Sequence, residues 1–110
     1  MIVNILIVGC GKAGSVLAQT MCSEGHDVTV MDTDPEIVRT LVDHFDVQGI
    51  CGNGLILKDL EEAGVGNTNI IIAMTESDEI NILCCLMARK SGARHSIARV
   101  RNPAYAEQLI

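Results

Sequence analysis

Three glycines in the run Gly9-Cys10-Gly11-Lys12-Ala13-Gly14 form the spacing G-x-G-x-x-G, and one carboxylate, Asp32, follows eighteen residues after the last of them. That pattern suits the grip of a dinucleotide. Gly9 permits a tight turn, Gly11 lets the backbone approach a pyrophosphate with no Cβ in the way, and Gly14 lets a helix pack closely on a strand. The diphosphate would rest on the helix N-terminus, where unpaired N–H groups and the positive end of the dipole meet it. Asp32 stands where a carboxylate accepts both hydroxyls of an adenosine ribose. A phosphate on the ribose 2′-oxygen would face that charge, and Thr33-Asp34-Pro35 supplies no arginine to offset it. NADP(H) is therefore disfavoured and NAD(H) expected, with ATP or ADP as the alternative, since the same turn and acid would serve a mononucleotide. The plainer readings are a glycine-rich turn that binds nothing and a solvated acid at a strand end.

Other residues belong to the same crevice if the carboxyl ends of the strands line it. Gly52-Asn53-Gly54 is a flexible turn whose asparagine could read an adenine edge or serve ordinary turn chemistry. Thr33 and Gly52 flank the crevice, and Thr75 is a ligand for the distal phosphate or ribose, a helix cap, or both. Lys12 meets a phosphate or stays solvated, and Ala13 lies in the turn between them. Asp34 is explained by helix capping. Arg99 and Arg101 share one face of a strand by the period of two, where they would hold phosphate, hold a neighbouring subunit's carboxylates, or be solvated. Cys10 and Cys51 could approach each other near the nucleotide as a redox pair, against the plainer reading of small buried hydrophobes. His26, His44 and His95 are scattered, the first two read as surface residues, and no acid, base or metal cluster stands ready for catalysis. No enzymatic activity is expected.

The elements that must position these groups alternate between short β-branched runs and longer amphipathic stretches, the pattern of successive βαβ units. Strands are expected at Ile2 to Val8, His26 to Met31, Asp46 to Cys51, Asn69 to Met74 and His95 to Val100. Helices are expected from about Lys12 to Glu24 with Gly25 at C′, from Pro35 with Asp34 as N-cap and a stripe of Ile37, Val38, Leu41, Val42 and Phe45, and from Leu55 to Ala63. A long fourth helix begins with Thr75 and Asp78 as a capping box and ends before Gly92. Asn102-Pro103 starts a last helix, inside or just after which the chain stops. Right-handed crossovers then give a Rossmann-like, doubly wound α/β fold: a parallel sheet of order 3-2-1-4-5 with helices on both faces. From Ile80 to Ala88 nearly every residue is apolar, so one side of the fourth helix must find a subunit interface or be covered by the last helix.

Size and composition agree. The 110 residues suffice for one domain. Hydrophobic residues make up 48% and aromatic ones 2%, the palette of a parallel sheet between helices. Fourteen acidic against eight basic side chains give a net charge of −6, which repels a phosphate backbone, so nucleic acid is excluded as a partner. Five cysteines without a C-x-x-C indicate neither a disulfide framework nor a zinc knuckle and point to a reducing compartment. The first residues carry no signal peptide, and Gly9 and Lys12 break the apolar run too early for a membrane span. A soluble protein without membrane insertion is expected.

The chain also resembles the amino-terminal half of the potassium-conductance regulator (RCK) domains, also called the Trk/Ktr NAD-binding or TrkA-N domain. The likeness runs along essentially the whole sequence, through Ile7 to Gly14, Glu24 to Val30, Asp32 to Pro35, Cys51 to Gly54, Leu60 to Gly64, Ala73-Met74-Thr75, Asp78 to Asn81 and Ile97 to Pro103. The resemblance implies a cytoplasmic subunit, peripheral to the inner face of the membrane, that forms dimers and rings beneath a potassium transporter or channel. Exchange of NADH for NAD⁺, or of ATP for ADP, would gate that partner. It further implies that Gly9 to Ala13, Asp32, Thr75 with Glu76, and Arg99 contact the nucleotide. Full-length members continue into a further strand, a crossover helix and a carboxyl-terminal ligand-binding lobe. The expectation here is residues 1–110 as a single domain with that lobe absent.

Overall fold

The computed structural model describes residues 1–108. Five parallel strands, β1 (Asn4–Val8), β2 (Asp27–Asp32), β3 (Gln48–Cys51), β4 (Ile70–Ala73) and β5 (His95–Ala98), pair in the order β3-β2-β1-β4-β5. This is the expected doubly wound sheet. Its register places Val8 opposite Met31 and Ala73, so the carboxyl ends of the three central strands finish level with one another.

Strand periodicity divides the core in two. Leu6 and Val8 point to one face, where they join Met31, Ile71 and Ala73 beneath α3 (Leu57–Glu62) and α4 (Asp78–Lys90). Ile5 and Ile7 point to the other, with Val28, Val30 and Ile72, beneath α1 (Lys12–Ser23) and α2 (Pro35–His44). Each fully buried aliphatic side chain of this kind contributes roughly 1.5–3 kcal/mol. Because both faces are covered, the central strands read as unbroken apolar runs rather than alternating ones.

The local punctuation explains the ends of the helices. Gly25, at φ +89°, follows α1 as its left-handed C′ residue. The Asp34 carboxylate accepts the N–H of Glu36 and Pro35 opens α2, as expected. Val38 and Leu41 of its stripe are buried, Ile37 and Phe45 half-buried, and Val42 exposed. The third helix begins two residues later than expected, with Ile56 as its N-cap, because the Asn53 side chain holds the Leu55 N–H in a turn. After its C-cap Ala63, Gly64, at φ +82°, leads into a 3-10 turn at Val65–Asn67.

Two expectations at the right-hand side of the sheet need correction. The cap of α4 is Ser77, whose hydroxyl accepts the Ile80 N–H, and not Thr75. The Thr75 hydroxyl instead accepts the N–H of Ser77 itself while donating to Asn81, so it closes the turn that leads into the helix rather than its first turn. The last strand ends at Ala98 rather than Val100. One further rung forms, from the Arg99 N–H to the Ala73 carbonyl, before side chains of α4 capture the backbone and turn it into α5 (Pro103–Gln108). Where the chain stops relative to α5 lies outside the described residues. Along α4, Leu83 and Leu86 remain 50% and 57% exposed with Pro103–Gln108 in place, so that segment alone does not cover the apolar face. No helix among the described residues is long and apolar enough to cross a membrane.

Candidate nucleotide site

A cleft of about 380 Å³ opens at the carboxyl ends of the central strands. Gly9, Gly11, Asp32, Thr33, Gly52, Asn53, Thr75 and Glu76 line it, together with Val8, Met31, Ile37, Gly54, Met74 and Ile80. Cys10, Lys12, Ala13, Gly14 and Arg99 lie beside or behind it.

The turn after β1 is shaped by the absence of side chains. A Cβ on Gly14 would lie 2.1 Å from the Gly9 carbonyl oxygen, and Gly9 itself, at φ +92°, sits against the Thr75 backbone. A Cβ on Gly11 would meet nothing within 4 Å, because it would project into open space. Gly11 is the N-cap of α1 and offers no side-chain oxygen, so the first-turn N–H groups of that helix have no capping side chain. Four N–H groups at any helix start lack intrahelical partners. Here they form a donor set suited to an anion.

Asp32 faces this turn and also builds it. Its Oδ2 accepts the Cys10 N–H at 2.8 Å and its Oδ1 accepts the Asp34 N–H at 2.9 Å. Each carboxylate oxygen has a second lone pair, so the acid can hold the turn and still accept a hydroxyl. The Cys10 side chain points away into the core. Burial, and then the nearby Asp32 charge, push its thiol up to about 12. Cys51 is exposed, with its Sγ directed at the Thr33 carbonyl at 3.6 Å, so one thiol sits in the core and the other in solvent. Cys10 is the buried small hydrophobe of the plainer reading, whereas Cys51 is exposed.

Opposite the glycine turn, the β4–α4 loop satisfies its own polar groups. Asn81 is fully buried. Its Oδ1 accepts the Thr75 N–H at 2.9 Å and the Thr75 hydroxyl at 2.7 Å. Its Nδ2 donates to the Thr75 carbonyl at 3.1 Å and the Arg99 carbonyl at 2.9 Å. All four hydrogen-bonding positions of the amide are filled, and the orientation is dictated, since an N–H can only donate and a carbonyl only accept. Removing the amide would leave those half-buried partners unpaired, at a cost toward the lower end of about 1–3 kcal/mol each. Because the Thr75 proton is committed, that hydroxyl meets a ligand as an acceptor or through rearrangement. Asn81 was not singled out from the sequence, although a lone amide inside the run Ile80 to Ala88 was the available signal.

The remaining candidates are placed as follows. Asn53 uses its side-chain oxygen on the Leu55 N–H, an Asx turn, leaving its amide nitrogen toward solvent. Lys12 and Ala13 are exposed on the first turn of α1. Arg99 donates to the Met74 carbonyl at 3.5 Å, whereas Arg101 donates to the Glu76 carbonyl at 2.6 Å and to its carboxylate at 3.3 Å. The two guanidinium groups thus engage the β4–α4 loop rather than forming one pair on a strand face. Asp78 accepts the N–H groups of Arg101 and Asn102 at 3.0 and 2.8 Å, and these bonds hold its carboxyl below the ordinary 3.8. His44 is exposed as expected, but His26 is half-buried and its Nδ1 accepts the Val3 N–H at 3.3 Å. No group of three or more metal-ligating side chains occurs among the described residues.

A second cleft, of about 540 Å³, lies at the amino ends of the strands, against Asp27, Asp46, Gly25 and Ala63. Helices α1, α2 and α3 end there, so their negative dipole ends and two carboxylates oppose an anion. Size alone therefore does not select the site.

The Trk system potassium uptake protein TrkA homolog of Methanothermobacter thermautotrophicus is 38% identical over 103 residues, covering 94% of this chain and 48% of that protein. The Trk system potassium uptake protein TrkA of Halomonas elongata is 36% identical across 93% of this chain and 22% of its own length. The chain thus spans about half or less of these curated relatives. Among solved structures, the GsuK channel bound to NAD matches with a TM-score of 0.83 at 25% identity, over 99% of this chain and 20% of that one. The AMP-bound Kef CTD of Shewanella denitrificans matches with a TM-score of 0.81 at 19% identity, over 96% of this chain and 64% of that one, a likeness of fold alone. Residues 5–110 match the TrkA-N domain model, and the chain belongs to the TrkA-N domain family.

Proposed function

We propose that this chain is the nucleotide-sensing domain of a potassium uptake system: it binds NAD(H) in the cleft at the carboxyl end of the sheet and regulates a membrane-embedded transporter or channel subunit. The observation that carries the reading is the uncapped, glycine-lined start of α1 facing the Asp32 carboxylate. Backbone donors there suit a diphosphate, and the free lone pairs of Asp32 suit a ribose diol. Gly9 to Gly14, Asp32, Thr33, Gly52, Asn53, Thr75, Glu76 and Arg99 form or support the site. The names of the TrkA relatives and the NAD-bound channel support both the ligand and the partner. ATP or ADP is the competing ligand, because the same two groups would hold it.

We read the domain as a sensor rather than an enzyme. None of the three histidines lines the cleft, and its one flexible acid, Glu76, is paired with Arg101. It would act from the cytoplasmic side, peripheral to the membrane, as a homodimer or higher ring joined through the exposed apolar face of α4. A nucleotide shifts such an assembly only by its difference in affinity for the two arrangements. Calorimetric titration with NADH, NAD⁺, ATP and ADP tests the reading, alongside identification of any nucleotide that copurifies. NADH binding without turnover is the expected result. Hydride transfer by the chain alone would overturn the sensor reading, and failure of all four ligands to bind would overturn the site.

A further inference from the structure

The β4–α4 loop touches two things at once. On one side Met74, Thr75 and Glu76 line the cleft. On the other, the segment between β5 and α5 is fastened to the same loop and to the first turns of α4. The Arg99 carbonyl is held by Asn81, the N–H groups of Arg101 and Asn102 by Asp78, and the Arg101 guanidinium by Glu76. These bonds join residues eighteen to twenty-five positions apart in the chain. Asn81 is the one buried link among them, and its Nδ2 reaches both sides. Oδ1 serves Thr75, while Nδ2 bridges Thr75 and Arg99. Any displacement of Thr75 must therefore change the geometry at Arg99, because a fully buried amide with four partners has no water to accept a broken bond.

We propose that Asn81 is the positioning residue that couples the nucleotide cleft to the β5–α5 junction, so that filling the cleft tightens residues 99–102 and fixes α5. The inference rests on the nucleotide reading above. It assigns the regulatory output to a particular element: α5, which follows this junction, is steadied when the cleft is occupied and loosened when it is empty.

Amide exchange followed by NMR on the wild-type chain, with and without saturating NADH and in parallel with ATP, provides the test. Protection of the amides from Gly9 to Gly14 reports binding. The expected result adds about tenfold slower exchange at Thr75, Arg101 and Asn102, with the amides of Asn69 and His95, at the other end of the sheet, unchanged. Protection of the glycine turn with no change at Arg101 and Asn102 would overturn the coupling and leave the nucleotide site standing. No protection anywhere with either ligand would overturn both. Asn81→Asp sharpens the result, since it keeps the acceptors for the Thr75 N–H and hydroxyl and loses the donations to the Thr75 and Arg99 carbonyls. The folded variant should still protect the turn on adding NADH but lose the response at Arg101 and Asn102, whereas a merely structural asparagine would lower exchange protection in all regions together. If that variant does not fold, the wild-type comparison alone decides.

Discussion

Two loops meet across the cleft, and they are built on opposite principles. The β1–α1 turn takes its shape from missing side chains: Gly14 must lack a Cβ to clear the Gly9 carbonyl, and the helix start it leads into has no side-chain cap. The β4–α4 loop takes its shape from side chains that are present, with Ser77 capping the helix and Asn81 closing every polar group of Thr75. One loop leaves its donors open and the other closes its own. An anion is expected at the first, while the second acts as a brace, which is why equal proximity to the cleft does not mean equal chemistry.

The largest effect separates fold from binding within the open loop. Gly14→Ala should cost about 1–3 kcal/mol or more of stability through overlap with backbone, and should abolish nucleotide binding. Gly11→Ala, where the new Cβ meets nothing and the backbone (φ −66°) is open to alanine, should change stability by less than about 1 kcal/mol. It should still weaken NADH by about tenfold or more, equivalent to about 1.4 kcal/mol. Urea denaturation and calorimetry read the two quantities. Equal affinity in wild type and Gly11→Ala would show that no ligand approaches that glycine.

Next comes the acid that ties the open loop together. Asp32→Ala should weaken adenosine nucleotides by about 1–3 kcal/mol, the scale for stranding a hydrogen-bond partner, and it also releases the Cys10 N–H. Calorimetric titration with NADH checks this, and unchanged affinity would count against the ribose assignment.

In the braced loop the order reverses. Ser77→Ala removes a helix cap and should lower stability by about 1 kcal/mol, while NADH affinity holds. A large affinity loss there would erase the distinction between the loops. The smallest effect is that of acid. Asp78 has a lower pKa in the folded chain than its ordinary 3.8, so its contribution is fully present above that value and is lost as pH falls below it toward the folded pKa. Protection of the Arg101 and Asn102 amides, measured relative to their intrinsic exchange rates, should fall over that range, and Asp78→Asn should remove the dependence. The same acid transition in the variant would assign it to another group.

Much of the open loop was legible in advance because its requirements are local. Glycine spacing, the strand before it and the helix after it are written in consecutive residues, and Asp32 follows at the length of one α/β unit. The braced loop was legible only in outline. Thr75 and Ser77 are both acceptable caps, and the choice fell to Ser77 because Asn81, six residues beyond Thr75, fixes the threonine so that its hydroxyl accepts the Ser77 N–H and not one of the helix. Strand five was read too long for a related reason. The alternation through Arg99 and Arg101 continues the pattern, but Asn81 and Asp78 remove the backbone groups a longer ladder would have used. His26 was read as a surface residue because nothing nearby in sequence announces that its ring accepts the Val3 N–H.

The sequence by itself determined the parallel sheet, its strand order, the helix that begins at the glycines and the acid that faces it, since periodicity and missing Cβ atoms act over a few residues and are indifferent to what lies elsewhere. Only the tertiary structure decided which carbonyl Asn81 would hold, which acid Arg101 would meet and which helix face would stay bare. Those choices depend on groups distant in sequence, and one backbone carbonyl is chemically the same as the next until folding brings a particular one within reach.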